Sequence, residues 1–95
     1  MVIGICHLEL LLSDTHSLKG KRRVVKSIIG RVKSKFNVSI AEVGKNDLWQ
    51  SAQIGFCMAG NDRRFINSAL DKVLHFIEEL NSAEIIHAEM EIITF

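Results

Sequence analysis

Proline and tyrosine are absent from this 95-residue sequence, tryptophan occurs once and cysteine twice. Without proline or any glycine- or serine-rich tract, nothing reads as a linker, repeat or low-complexity segment. Residues 1–95, with 47% hydrophobic and 24% charged residues, suit one compact domain that buries about 60–65% of its unfolded surface. Cys6 and Cys57 show no CxxC or other metal-ligand spacing, and two cysteines are too few for a disulfide framework. A reducing compartment fits. The longest apolar runs are broken by His, Glu, Gly or Lys within about ten residues, so neither a signal peptide nor a membrane-spanning helix is expected. The chain reads as cytoplasmic.

The most informative absence is of acidic residues. Residues 15–41 hold Lys19, Lys21, Arg22, Arg23, Lys26, Arg31, Lys33 and Lys35 with no Asp or Glu, while the rest of the chain holds four basic and eleven acidic residues. A net charge of +1 therefore hides two oppositely charged parts. Such asymmetry points to an anionic partner, although a solvated helix face is the commoner cause of a charge run.

Local patterns place that segment. In "VIGICHLELLL", Val2, Cys6, Leu8, Leu10 and Leu12 alternate with Ile3, Ile5, His7 and Glu9, the pattern of a strand covered on one side. From Ser17 the period lengthens, and Leu18, Val25, Ile28, Ile29, Val32 and Phe36 form one apolar stripe of a helix. "NVSIAEVG" and "SAQIGFCMAG" read as two strands joined by a hairpin connection through "KNDLWQ". Asn61 or Asp62 then caps a second helix that reaches about Leu80, with Ile66, Ala69, Leu70, Val73, Ile77 and Leu80 inward. In "AEIIHAEMEIITF", Ile86, Ala88, Met90 and Ile92 alternate with Ile85, His87, Glu89, Glu91 and Ile93, giving a fourth strand.

The order βαββαβ predicts an α+β, ferredoxin-like fold: a four-stranded antiparallel sheet in the order 4-1-3-2 with two helices on one face. Its open face would bring Ile3, Ile5, His7 and Glu9 beside Ile85, His87, Glu89 and Ile93. On the first helix, counting about 100° per residue from Leu18, Arg22, Lys33, Lys26, Lys19 and Arg23 fall between roughly 40° and 140°, on one flank of the apolar arc. Lys21, Arg31 and Lys35 fall on the other flank.

At "SLKGKRRVVKSI", "KFNVSIAEV" and "DLWQSAQIGF", followed by "ND" before the second helix, the sequence resembles the YlxP-like family, small bacterial proteins catalogued as a domain of unknown function. The similarity covers nearly the whole chain. The family usually has Glu after Ser-Leu-Lys, where this sequence has Gly20, so the reciprocal half of a capping box from Ser17 is lost. The resemblance implies a ferredoxin-like fold and a cytoplasmic bacterial protein. It also implies genes that often lie near those for translation initiation and ribosome-binding factors, which favours a ribosome or RNA role. It carries over no catalytic residues.

The expected function is a non-enzymatic accessory that binds RNA or a ribonucleoprotein surface through Lys19, Arg22, Arg23, Lys26 and Lys33, with Trp49 as a stacking or anchoring aromatic. A loop residue folded over the end of the core is the plainer reading of Trp49. The alternative function is a homo-oligomeric interaction module with an acidic protein partner, since exposed isoleucines on the open sheet face would favour a homodimer. Sheet-face RNA recognition needs aromatics on the first and third strands, and the outward set there is Ile5, His7, Gln53, Gly55 and Cys57. An acylphosphatase-like site needs an Arg-bearing phosphate loop, and "LSDTHSL" has none. His7, Glu9, His87, Glu89 and Cys57 are metal-capable types, yet they read better as a polar patch between strands or at a subunit contact. No metal, cofactor, catalytic residue or membrane contact is expected.

Overall fold

Alternation of small and branched apolar residues turns every second side chain of the first segment the same way. In the computed structural model, which describes residues 1–95, that segment is strand β1 (Val2–Leu11). It is followed by helix α1 (Leu18–Lys35), β2 (Ser39–Gly44), β3 (Ser51–Gly60), α2 (Arg63–Glu79) and β4 (Glu84–Thr94). The strands form one antiparallel sheet in the order β2-β3-β1-β4, the expected ferredoxin-like arrangement. Right-handed crossovers put both helices on the same face.

Each helix starts at a side-chain cap. Ser17 Oγ accepts a 3.0 Å hydrogen bond from the Gly20 amide, and the Asp62 carboxylate accepts one of 3.0 Å from the Arg64 amide, so Asp62 rather than Asn61 is the second cap. Caps of this kind contribute about 1 kcal/mol each. The core lies between helices and sheet: Cys6, Leu8 and Leu10 of β1 and Ile54 and Phe56 of β3 meet Val25, Ile28 and Val32 of α1 and Ile66, Leu70, Val73 and Ile77 of α2. Burying each large aliphatic side chain contributes roughly 1.5–3 kcal/mol. At Gly4 a Cβ would lie 2.5 Å from Ile66 Cγ2, so only glycine lets α2 approach β1 this closely. Cys6 is buried in the core and Cys57 is exposed on the other face, the opposite orientation their strand parity predicts.

Two placements differ from the sequence expectation. β4 pairs with β1 from Val2↔Thr94 to Glu9↔His87, after which a bulge shifts the register so that Leu10 faces Ile85. Ile85 therefore turns to the helix side and packs on the core instead of joining His87, Glu89 and Ile93 on the open face. Ile86, the extra residue, is half-exposed. Lys21 is the other difference: it is fully buried, not part of the solvent-facing charge of α1.

The chain ends meet. The Met1 amino group donates to the Phe95 carbonyl at 2.9 Å, and the Phe95 amide donates to the Met1 carbonyl at 2.7 Å. No helix is long and apolar enough to cross a membrane.

Candidate functional site

Helix α1 buries Val25, Ile28 and Val32 and leaves its charged flank in water. Lys19, Arg22, Arg23, Lys26 and Lys33 are all exposed. None of the five takes part in an ion pair or a side-chain hydrogen bond; the three ion pairs of the molecule are Lys21–Glu42, Lys45–Glu9 and His87–Glu89. From Lys19 to Lys33 the flank runs about 21 Å at 1.5 Å per residue. Beside these cations, on the outermost surface of the helix, Ser27, Gly30 and Ser34 are also exposed and short, so an extended polyanion could lie against the helix without meeting bulky side chains. Lys35 differs from the other exposed cations: its Nζ sits 4.7 Å from the centre of the Phe76 ring and 5.8 Å from that of Phe36. Those rings in turn pack edge to face at 5.5 Å, which ties Lys35 to the end of the core.

Lys21 points into the fold. Its Nζ lies 2.9 Å from Glu42 Oε2 of β2 and donates to the carbonyl of Lys45. That Glu42 oxygen has no partner of hydrogen-bond geometry, so the contact is a charge pair, not an aligned bond. Lys45 adopts φ 55°, one of two non-glycine residues in the left-handed region, and its own ammonium pairs with Glu9. The loop of residues 45–50 is thus held from below by Lys21 and from the side by Glu9. Buried Thr15 adds a further tie, since its hydroxyl hydrogen-bonds the carbonyls of Leu12 and Trp49, and the Leu12 amide donates to Gln50 at 2.9 Å.

These ties set Trp49 at the end of the molecule where α1 begins. Its ring centre lies 6.4 Å from that of His16, the residue before the Ser17 cap, with the planes tilted by 53°. At 42% exposed, Trp49 neither fills the core nor stands free of it. The structure therefore brings Trp49 together with the Lys19 end of the basic flank and leaves Lys33 at the far end. Sequence reasoning did not single out Lys21, Thr15, His16 or Lys45; of these only Lys21 carried a signal, since at about 300° on the helix wheel it falls between Ile28 and Val32 inside the apolar arc.

The other candidate surfaces offer less. β1 and β3 bear no Phe, Tyr or Trp on the open face; Phe56 is buried under the helices. Register places His7 opposite Glu89 and Glu9 opposite His87, whereas Cys57 lies opposite Ile5 on the far side of β1. No three His, Cys, Asp or Glu side chains come close enough to hold a metal ion. His87 Nε2 and Glu89 Oε1 are 2.9 Å apart at the surface, and this hydrogen bond, followed by the His87 charge, holds the Glu89 carboxyl below its ordinary pKa. Burial pushes the Cys6 thiol up to about 11, with Asp71 adding to the shift, which makes it a poor nucleophile. A cleft between the β1–α1 and α2–β4 loops contributes Asp14, Glu78 and Glu84 but no His, Cys, Lys or Arg.

Residues 3–90 match the profile of a family described as "Protein of unknown function (DUF503)". The chain is 40% identical over 83 residues to "Uncharacterized protein YlxP" of Bacillus subtilis (strain 168), covering 87% of this chain and 90% of that protein. Among solved structures, the de novo designed protein Foldit4 superposes with a TM-score of 0.54 at 16% identity, over 100% of this chain and 99% of that one, a likeness of fold alone. LarC2, the C-terminal domain of a cyclometallase involved in the synthesis of the NPN cofactor of lactate racemase, superposes with a TM-score of 0.43 at 11% identity. That alignment covers 97% of this chain and 56% of the other, and bears on neither fold nor function. On the match over nearly its whole length and the identity to YlxP, the chain belongs to the DUF503 family of proteins of unknown function.

Proposed function

We propose that this protein is a non-enzymatic accessory that binds RNA or a ribonucleoprotein surface through the exposed flank of α1. One observation carries the reading: Lys19, Arg22, Arg23, Lys26 and Lys33 stand in water on one side of a helix with no acidic residue and no ion-pair partner. Lys21 and Lys45, which hold the fold, are paired with carboxylates; cations left unpaired along one line suit a row of phosphates. Trp49 beside His16 supplies an aromatic face at the same end, on which a base can stack.

Fluorescence anisotropy with single-stranded RNA over a salt series tests this. About five phosphate contacts give a log-log salt slope near −3 to −4 for a single strand. Arg22→Glu with Lys26→Glu should weaken binding to all sequences alike, and Trp49→Ala should weaken it only where bases stack. If the protein binds neither RNA nor ribosomal particles at low salt, the reading fails. An interaction module with an acidic protein partner then takes its place.

A further inference from the structure

The sheet ends on one side in β2, six residues long with a bulge between Glu42 and Gly44, and on the other in β4, eleven residues long. Short strands, bulges, lysines and prolines are the usual protections of an edge. β4 has a bulge at Ile86 but no Lys, Arg or Pro in its length. It is also exposed on both faces. His87 and Glu89 lie opposite Glu9 and His7 on the open face, while Ala88 and Met90 lie opposite Leu8 and Cys6 on the helix side. Even on that side Met90 is 44% exposed.

We propose that β4 pairs antiparallel with β4 of a second copy of this chain, across a two-fold axis through Ala88. A two-fold axis normal to the sheet reverses the strand and keeps both helix layers on one side, so helix-side residues must face helix-side residues. Centring on Ala88 sets His87 opposite the partner's Glu89, and Glu89 opposite the partner's His87, on the open face. On the helix side the same centre sets Ile86 and Met90 opposite each other twice, beside an Ala88 pair at the axis. The neighbouring centres are worse matched. Glu89 at the axis brings two carboxylates together, Met90 at the axis sets Glu89 against Glu91 twice, and His87 at the axis faces two imidazoles and sets Glu89 against Ile85. The five-residue stretch Ile86–Met90 is thus complementary to itself in one register, apolar on one side and with imidazole facing carboxylate on the other. The result is an eight-stranded sheet with all four helices on one face. Because α1 packs on β2 and α2 on β1 and β4, the two α1 helices lie outermost on that shared face. The pairing does not depend on the RNA reading.

Disulfide trapping in the full chain tests the register. Cys57→Ser removes the exposed thiol and leaves Cys6 buried. In that background Ala88→Cys sets two thiols across the axis, at about the 4.5–5.5 Å Cβ spacing of facing residues, and mild oxidation should convert most of the chain to a covalent dimer. Glu91→Cys separates the two thiols by six residues, about 20 Å, and should give less than a tenth as much. Equal trapping at both positions, or none at Ala88→Cys, overturns the proposal. Light scattering at about 100 µM should give twice the 10.7 kDa chain mass. Glu89→Lys should return the mass of one chain, and His87→Glu added to Glu89→Lys should restore the dimer. A monomeric wild type overturns the proposal. So does a dimer that survives Glu89→Lys and is lost in Ile5→Lys, which would place the contact on the open sheet face.

Discussion

Replacing Lys21 by Met keeps a chain of similar length in the core and removes only the ammonium. Glu42 then loses the cation 2.9 Å away, with its side chain 17% exposed, and the Lys45 carbonyl loses its donor. Breaking a buried pair by removing one member costs about 3–5 kcal/mol. Water reaches part of Glu42, and its oxygen lacks hydrogen-bond geometry to the ammonium, so the lower part of that range applies. The orphaned carbonyl adds about 1 kcal/mol, and the extra apolar burial of Met offsets some of both. The net loss should be about 2–4 kcal/mol, on the order of 15 °C in Tm for a domain of this size. Urea unfolding followed by circular dichroism reads this as a midpoint shift of about 2 M if m is near 1–2 kcal/mol/M. Arg22→Met, one residue on and exposed, should stay within about 0.5 kcal/mol of the wild type. Adding Glu42→Leu to Lys21→Met removes the orphan charge and should recover at least half of the loss. A loss below about 1 kcal/mol for the single variant would refute this account of Lys21, as would a double variant no more stable than the single one.

At Gly30 an added Cβ meets nothing within 4 Å, so Gly30→Ala should stabilise the protein by about 0.5–1 kcal/mol through helix propensity, read by the same urea titration. A thiol reagent should modify Cys57 in the native protein and Cys6 only on unfolding. Because the folded state holds the Cys6 thiol up to about 11 against an ordinary 9.0, the unfolded chain loses that proton first as pH rises. Its contribution is fully present below pH 9 and lost toward pH 11, about 3 kcal/mol in all. Cys6→Ala should lose less stability than the wild type between those pH values, and equal losses would contradict the assignment.

The fold was legible because its signals are periodic and local. Strand alternation over Val2–Leu12, the apolar stripe of α1 and the cap before α2 each need only neighbouring residues, and together they fix the order of elements and the sheet. The basic flank was legible for the same reason, since spacing on a helix decides which cations share a side. The failures share a different cause. Ile85 and Ile86 are both isoleucine, so alternation reads equally well with or without an extra residue, and only the pairing of β4 with β1 reveals the bulge. Lys21 falls at about 300° on the helix wheel, inside the apolar arc between Ile28 and Val32, so its inward direction was legible and its charge obscured it. The partners that make its burial tolerable, Glu42 and the Lys45 carbonyl, are brought beneath it by β2 and give no local signal. The tie between Thr15 and Trp49 joins two loops 34 residues apart and leaves no local trace.

The hydrogen bonds between Met1 and Phe95 also bear on the rate at which this sheet can form. The central strand β1 finds one neighbour, β3, through a closure of about half the chain, and the other, β4, only by closing nearly all of it, as Val2↔Thr94 shows. Such distant pairings slow folding, since the entropy of closure is lost before the contacts form. Joining Phe95 to Met1 through a short linker and opening the chain within residues 46–48 would turn β4 and β1 into a local hairpin. β2 and β3, a local hairpin in the natural order, would instead become the distant pair. Since β1 and β4 pair at ten positions and β2 and β3 at five, the mean sequence separation still falls and refolding should be modestly faster.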